Sequence, residues 1–290
     1  MNYFRKFLNL LIALIGLNFV ILIHEFGHFV FCKLFDVRTP TFSVGFNPAI
    51  ASHKFRGTKF QIGAIPLGGY VAINEQDLAN RSYPKKMAII FAGILINFLF
   101  GFLALYYLYS KRQRSLHQTS PAYEQSGYEH FEHQELPRVE SPETNREYIE
   151  HHQLENHNLE DRASVNKRGG LIDFITKATP PEARALLLNL SKNRFMGPIG
   201  ILSAISQSVN LGFDTFLYFL ATISLNIGFF NLFPLSFLDG GQAAYYTLQA
   251  IFGNNFTSSF YSGISYIMIA LAFLFLILIS AKDIFNLRKK

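Results

Sequence analysis

The sequence predicts an α-helical polytopic membrane protein with about four transmembrane helices. It also predicts a membrane-associated β-hairpin between the first two helices and a largely disordered polar insert between the second and third. Half of its 290 residues are hydrophobic and only 16% are charged, whereas soluble domains carry about 25% charged residues. Four stretches reach the roughly 20 mainly apolar residues that a bilayer core requires. The single cysteine, Cys32, excludes a disulfide-stapled secreted module.

The positive charges are distributed as in membrane proteins. Although the net charge is +6, residues 111–168 hold 11 acidic and 8 basic residues, which leaves 18 basic and 9 acidic residues elsewhere. Those cations flank long uncharged stretches and form no stripe interleaved with aromatic residues. The pattern therefore excludes nucleic acid as a partner and indicates a lipid bilayer.

The four predicted spans divide the chain into three parts. The first part, residues 1–110, contains two spans, and the last part, residues 195–290, contains the other two. Residues 111–194 between them form a polar extramembrane insert that is rich in His and Glu. The spans are, in order, Phe7–Phe31, Met87–Tyr109, the 24 uncharged residues between Asp214 and Asp239, and Ile264–Ala281.

Short strands are expected after the first span. Residues 42–74 have strand character, and Phe60–Tyr70 is predicted as an apolar strand that ends in the turn residues Pro66-Leu67-Gly68-Gly69-Tyr70. A β-hairpin close to a membrane is costly unless its free edge is buried or used. We therefore expect this edge to have a function.

The insert and the segment after it have weaker patterns. Residues 111–168 contain few apolar positions, which predicts disorder. Thr179 before Pro180-Pro181-Glu182 predicts a helix start, with a short amphipathic helix from Ala183 to Leu190 after it. Phe195–Gly212 is only moderately hydrophobic, so we expect an interfacial or re-entrant segment there.

Two histidines in the first span indicate a metal site. His24 and His28 are four residues apart and lie on one helical face, where both imidazoles can bind one metal ion. Glu25 beside the first histidine can then act on a metal-bound water. Ionisable side chains in an apolar span are costly and usually functional. The alternative is that the histidines only reach the interface or nearby carbonyls.

A catalytic zinc site usually has three protein ligands, so a third is needed. Cys32 lies four residues after His28, although a lone buried cysteine is more often an apolar filler. Asp36 lies a further four residues along. Because each step of four residues turns the helix by about 40°, Asp36 lies well off the face of the two histidines. Asp239 is the remaining candidate. Its carboxylate needs a positive charge nearby, no Lys or Arg occurs from Gly240 to Ala281, and a metal ion held by the first span would supply that charge. Its alternative role is an ordinary helix cap.

These residues, together with several shorter motifs, resemble the site-2 protease family of intramembrane zinc metalloproteases, and above all the bacterial RseP type. The likeness covers about residues 7–110 and 195–285. It is carried by His24-Glu25-Phe26-Gly27-His28, Pro66-Leu67-Gly68-Gly69-Tyr70-Val71, Ala92-Gly93 with Asn97, Gly197-Pro198-Ile199-Gly200-Ile201, Ile223-Ser224-Leu225-Asn226, Asn231-x-x-Pro234 and Leu238-Asp239-Gly240.

The resemblance implies an enzyme of regulated intramembrane proteolysis. Such an enzyme uses a Glu-activated, zinc-bound water to cleave the transmembrane segments of membrane proteins or remnant signal peptides. It also implies a multi-pass protein of the cell inner membrane. The implied site consists of Zn²⁺ bound by His24, His28 and Asp239, Glu25 as the catalytic base, and substrate contacts from Asn231, Asn97, Gly68, Gly69 and Tyr70.

The chain departs from the RseP type in three places. RseP-type enzymes usually carry PDZ domains between the second and third spans. The 84 residues from Lys111 to Arg194 are too few and too polar for a tandem pair and show no convincing strand pattern. Ile94 and Ser236 replace prolines that are common in the family. These are local backbone changes that remove no catalytic group.

Two alternatives stay open. One concerns function. A non-proteolytic membrane protein that binds or moves a divalent metal would use the same ligands, and the insert contains six further histidines that could bind metal. They are His117, His130, His133, His151, His152 and His157.

The other concerns orientation in the membrane. The family places the HExxH end of the first span toward the cytosol. Near the spans, however, 11 basic residues lie on the side of both termini and the insert, and 8 lie on the other side, which favours the reverse orientation.

Overall fold

The computed structural model describes residues 2–119, 170–191 and 198–288. The described chain forms two units, residues Met1–Ala104 with Pro180–Lys290, and residues Leu105–Thr179. Its elements are α1 (Asn2–Leu34), β1 (Thr41–Phe55), β2 (Thr58–Ala72), α2 (Glu75–Ala79), α3 (Tyr83–Thr119), α4 (Leu171–Ala178), α5 (Pro181–Ser191), α6 (Pro198–Asn210), α7 (Phe213–Phe230), α8 (Asp239–Phe252) and α9 (Asn254–Arg288).

Within the described ranges, three helices are long and apolar enough to cross a membrane. They are Tyr3–Leu34, Tyr83–Ser115 and Phe213–Phe230, and they confirm the predicted membrane character of the chain. The fourth predicted span, Ile264–Ala281, lies in α9. The apolar part of α9, Gly263–Ile279, is shorter than the other three helices, so the count of four spans stays a prediction.

The third predicted span is shorter than the 24-residue uncharged stretch that contains it. Helix α7 ends at Phe230 with Asn231 as its C-cap, and Asp239 begins α8 instead of ending the same helix. Pro234 has no N–H to continue a helix, and the Gly240 N–H closes the connection by donating to the Asn231 carbonyl over 2.7 Å. A Cβ at Gly240 would collide with the Leu232 carbonyl.

The β-element between α1 and α2 consists of two long antiparallel strands. The turn residues from Pro66 to Tyr70 do not end β2, contrary to the sequence prediction, because the strand continues to Ala72. Gly68, with φ +93°, bends the strand without interrupting it. After this bend, residues 69–72 pair with residues 41–44, so Phe42 has both Phe60 and Val71 as partners.

Helix α1 is the centre of the larger unit. It packs against β2, α6 and α7. One apolar cluster of this unit joins Ala13 and Val20 of α1 to Ile205 and Leu220. A second cluster surrounds the HExxH end of α1 and contains Cys32, Val37, Leu78 and Ile89. Cys32 is fully buried there, as expected for an apolar filler.

An ion pair fixes the connection after α1. The Arg38 guanidinium donates two hydrogen bonds to the Asp77 carboxylate, over 2.6 and 2.8 Å. The side-chain hydrogen bonds from Arg38 hold the pKa of Asp77 at about 2. The Arg38 carbonyl also accepts from the Asn74 N–H. These bonds tie the start of the β-element to the short helix that follows it.

Predictions for the polar insert are tested only at its ends. Residues 111–119 are helical because α3 continues to Thr119, and the predicted disorder of residues 120–168 lies outside the described residues. After the proline pair the structure has the helix α5, at Pro181–Ser191. Thr179 caps the C-terminus of α4 instead of starting α5. Pro181 takes the first position of α5, where its missing N–H costs nothing.

Candidate metal centre

The two HExxH histidines lie side by side on α1 and face one point. The Nε2 atoms of His24 and His28 are 3.2 Å apart. Both residues are buried, with 6% of their surface exposed. Since the residues are four positions apart on a helix, their imidazoles project from the same face. The two rings therefore approach each other on one face of α1.

The second nitrogen of each ring contacts α3. His28 Nδ1 donates to the Ile89 carbonyl over 2.8 Å, so its Nε2 carries a free lone pair. His24 Nδ1 lies 3.2 Å from the Asn97 amide, and Asn97 Oδ1 is buried without a hydrogen-bond partner. Turning this amide by 180° lets Oδ1 accept the His24 Nδ1–H. Both histidines then have the tautomer and orientation of metal ligands.

Asp239 completes the group from the other half of the chain. Its Oδ2 lies 3.1 Å from His24 Nε2 and 3.4 Å from His28 Nε2. The carboxylate is largely buried, with 13% of the side chain exposed, and Oδ2 has no hydrogen-bond partner. The tight connection before Gly240 brings the first residue of α8 back to α1. Among the described residues, these three form the group that could hold a metal ion.

The separations of the three ligand atoms fit one zinc ion. They are 3.1, 3.2 and 3.4 Å. In a tetrahedral site with ligand bonds of about 2.0 to 2.2 Å, ligand atoms lie about 3.3 to 3.6 Å apart, and binding needs shifts of only a few tenths of an ångström. Two imidazole lone pairs and one carboxylate oxygen that face one point repel each other. A divalent cation between them removes this repulsion, so the donor set matches a metal centre.

Gly93 of α3 has no side chain, and the two histidine rings occupy the space that a side chain would fill. A Cβ built at Gly93 would lie 2.5 Å from His28 Nε2 and 2.8 Å from His24 Nε2. These distances are shorter than van der Waals contact, so any larger residue must displace both rings. The same helix approaches α1 closely at Gly27, whose Cβ would lie 2.6 Å from the Ala92 carbonyl oxygen. The Ala92-Gly93 pair therefore explains how α3 reaches the site.

Gly93→Ala should reduce the affinity of the site for a divalent cation by about tenfold or more, because disturbing the support of metal ligands has effects of this size. Gly263→Ala is the matched control, since a Cβ at Gly263 in α9 meets nothing within 4 Å. The measurement is the metal content of the purified variants after dialysis against a zinc buffer, with helix content from circular dichroism. Equal metal content in both variants would contradict the steric argument.

Glu25 lies in the same cavity as the three candidate ligands. The cavity has a volume of about 290 Å³, and its lining includes His24, His28, Asp239 and Asn231 as well as Glu25. Glu25 Oε2 accepts the backbone N–H of Val71 over 2.9 Å. The carboxylate therefore contacts the β-element and the space beside the ligands at the same time.

The other predicted substrate residues occupy different positions. Asn231 lines the cavity, and its amide donates to the Ile227 carbonyl. Asn97 is fully buried against His24, so its predicted contact with a substrate has no counterpart on the cavity surface. The Gly68 N–H donates to Asn18 Oδ1 over 2.8 Å. Tyr70 stacks on Phe46, and Gly69 pairs with Val44.

Two polar residues near the site are not among those predicted from the sequence. Gln242 lines the cavity, and its position three residues after Asp239, on the same face of α8, is the pattern that could have indicated it. Asn18 contacts β2, and an asparagine inside an apolar span is the signal that was available. Asp36, weighed as a third ligand, is exposed after the end of α1 and lies outside the metal-capable group.

Comparison with known proteins agrees with this geometry. Residues 12–275 match the family model of peptidase family M50. A candidate zinc metalloprotease of Clostridium acetobutylicum is 24% identical, over 96% of this chain and 98% of its own length. One of Fusobacterium nucleatum is 24% identical over 84% and 89%, and one of Borreliella burgdorferi is 36% identical over 38% and 32%. Because the match spans nearly the whole chain, this protein belongs to peptidase family M50, the site-2 protease family of membrane metalloproteases.

Proposed function

We propose that the protein is an intramembrane zinc endopeptidase that cleaves membrane-spanning segments of other proteins or remnant signal peptides. Its place in the cell is then the inner membrane, which it crosses several times, and its role is regulated intramembrane proteolysis. The central support is the convergence of His24, His28 and Asp239 at 3.1 to 3.4 Å beside the Glu25 carboxylate in one cavity.

Zinc is the metal that these residues would hold. His24 and His28 contribute neutral imidazoles and Asp239 contributes one negative charge, so a bound Zn²⁺ keeps a net charge of +1. Three protein ligands with one open position are typical of catalytic zinc sites. In such a site the ion supplies a Lewis acid that makes water nucleophilic near neutral pH.

Glu25 then performs the proton transfers. Its carboxylate takes a proton from the attacking water, and it later gives this proton to the nitrogen of the leaving amine. In the structure Glu25 Oε2 accepts the Val71 N–H. A substrate carbonyl that takes over this N–H frees the carboxylate to act as a base. Substrate docking on β2 and activation of Glu25 are thereby linked through one hydrogen bond.

A membrane-spanning substrate must unwind before it reaches the cavity. A helical segment hides its carbonyls in its own hydrogen bonds, and in lipid each freed backbone group needs a new partner. The edge of β2 at residues 69–71 offers such partners by strand addition. The Asn231 side chain, which lines the cavity, offers a further one. This gives the membrane-associated β-element a role in substrate binding.

The alternative function, binding or moving a divalent metal without proteolysis, needs the three ligands but no base. Glu25 lines the cavity beside the three candidate ligands, and this position supports hydrolysis. The further histidines of the insert, apart from His117 at the end of α3, lie outside the described residues. Hydrolysis is therefore the function that the geometry supports best.

Metal removal tests the proposed function. The purified chain is reconstituted in lipid vesicles with a single-span reporter protein, and cleavage is followed by gel electrophoresis and mass spectrometry. We expect cleavage within the membrane-spanning segment, its loss on chelation, and its return on adding Zn²⁺. A reporter with a polar linker in place of its span is the control and should stay intact. Cleavage that survives complete removal of zinc contradicts the proposal, and zinc uptake without cleavage supports the alternative.

A further inference from the structure

Helix α1 holds the edge of β2 with two polar side chains. Asn18 and Glu25 are seven residues apart and so lie on nearly the same helical face. Glu25 binds the Val71 N–H, and Asn18 binds the backbone at Pro66 and Gly68. Glu25 belongs to the proposed catalytic machinery. Asn18 has no role in that chemistry, although a carboxamide in an apolar span is costly.

The Asn18 carboxamide pairs with β2 as a strand residue would. Its Nδ2 donates to the Pro66 carbonyl over 2.7 Å, and its Oδ1 accepts the Gly68 N–H over 2.8 Å. A residue of a strand added in parallel makes the same two bonds, to the carbonyl before and the N–H after the residue that it faces. The second proton on Nδ2 goes to the Leu14 carbonyl of its own helix, which fixes the side chain.

We propose that Asn18 determines which peptide bond of the substrate is cleaved, because it occupies the β2 edge at Pro66–Gly68 and so stops strand addition there. This inference rests on the proposed function. A substrate strand can then pair only from Gly69 onward. The Val71 N–H points away from β1, at the free edge of β2, and bonds to Glu25. The backbone N–H of Gly69, two residues away, faces the same edge. These two residues form the short edge that remains open.

The distances make such a stop effective. Seven helical residues separate Asn18 from Glu25 by about 10.5 Å, which equals about three residues of extended chain at 3.3 Å each. A substrate whose end abuts Asn18 therefore presents a defined bond near Glu25. Strand register changes in steps of two residues when the side-chain faces are kept. Without the stop, the substrate can slide by two residues and present a second bond.

Space is available beside Asn18 at the Pro66 end of this edge. A cavity of about 330 Å³ has Asn18, Ile15, Val44 and Pro66 in its lining. Its walls are predominantly apolar, which suits the side chains of a membrane-spanning substrate. Shortening Asn18 enlarges this cavity and uncovers the Pro66 carbonyl and the Gly68 N–H. A sliding substrate strand can bond to both groups, so neither remains unpaired in lipid.

The test is the position of the cleaved bond, read by mass spectrometry of the reporter fragments. Wild type should cut one bond. Asn18→Ala and Asn18→Leu should retain zinc and cut an additional bond two residues away, at a yield of at least about one tenth of the total. Asn226→Ala is the matched control. The Asn226 amide, like that of Asn18, donates to the carbonyl four residues earlier, and this variant should cut the wild-type bond only.

The outcomes separate this inference from the proposed function. If wild type does not cleave the reporter, the proposed function itself fails. If wild type cleaves but both Asn18 variants cut the same single bond, at any rate, the register inference is overturned. Loss of all cleavage in both zinc-loaded variants also overturns it, because Asn18 then supports the fold of the site and does not select the bond. The leucine variant guards against a packing defect in the alanine variant.

Discussion

Glu25→Gln should abolish cleavage of a membrane-spanning reporter while zinc stays bound. Glutamine keeps the size of the side chain and can still accept the Val71 N–H that Glu25 Oε2 accepts over 2.9 Å, but it cannot take a proton from water. General-base catalysis contributes about 10²- to 10⁴-fold to the rate, so we expect a loss of this size. The three ligands are unchanged, and metal content should equal that of wild type.

The measurement pairs a cleavage assay with metal analysis of the same preparation. Glu182→Gln, an exposed substitution in α5, controls for the loss of one carboxylate elsewhere. Wild-type cleavage by Glu25→Gln would remove Glu25 from the role of base. Loss of zinc in this variant would show that the carboxylate acts on the metal and not on the water.

Asp239→Ala should release the metal and with it the activity. The variant leaves two imidazoles, one ligand fewer than catalytic zinc sites use. Disturbing the groups that support metal ligands already costs about 10- to 100-fold in affinity, so loss of a ligand should exceed about 100-fold. Asp239 also joins the connection at residues 231–238 to α1 through His24 and His28. We therefore expect zinc-dependent protection of this connection against protease to vanish in the variant.

A matched pair of substitutions makes this test specific. Asp239→Asn and Asp36→Asn both change a carboxylate to a carboxamide. Asp36 has φ +53°, a conformation that asparagine tolerates well. Only Asp239→Asn should lower the zinc affinity, as measured by competition with a chelating dye. Equal affinities in the two variants would mean that the carboxylate of Asp239 is not a ligand.

The parts of the site that follow from helix periodicity could be predicted from the sequence. His24 and His28 face one point because residues four apart share a helical face, and their Nε2 atoms are 3.2 Å apart. The uncompensated charge of Asp239 makes it a candidate third ligand, and its carboxylate lies beside both rings. Residue spacing and charge can be read directly from the sequence.

The parts that depend on tertiary contacts could not be predicted in the same way. The apolar stretch before Asp239 predicts one long helix, yet the chain turns after Phe230, and the Gly240 N–H closes the turn on the Asn231 carbonyl. The glycines in β2 suggested a strand end, yet pairing of residues 69–72 with 41–44 carries the strand onward. Both outcomes depend on where distant backbone lies, and hydropathy contains no information on that.

The small distances between α1, α3 and α7 have a consequence for inhibitor chemistry. Cβ atoms built at Gly27 and Gly101 would lie 2.6 Å from Ala92 O and 2.5 Å from Leu225 Cγ, so these helices are in close contact at both points. We therefore expect a compound that reaches the metal to approach along β2, as a slender extended backbone with a zinc-chelating end. Bulky groups belong on its opposite side, toward Gln242 of α8, which lines the cavity.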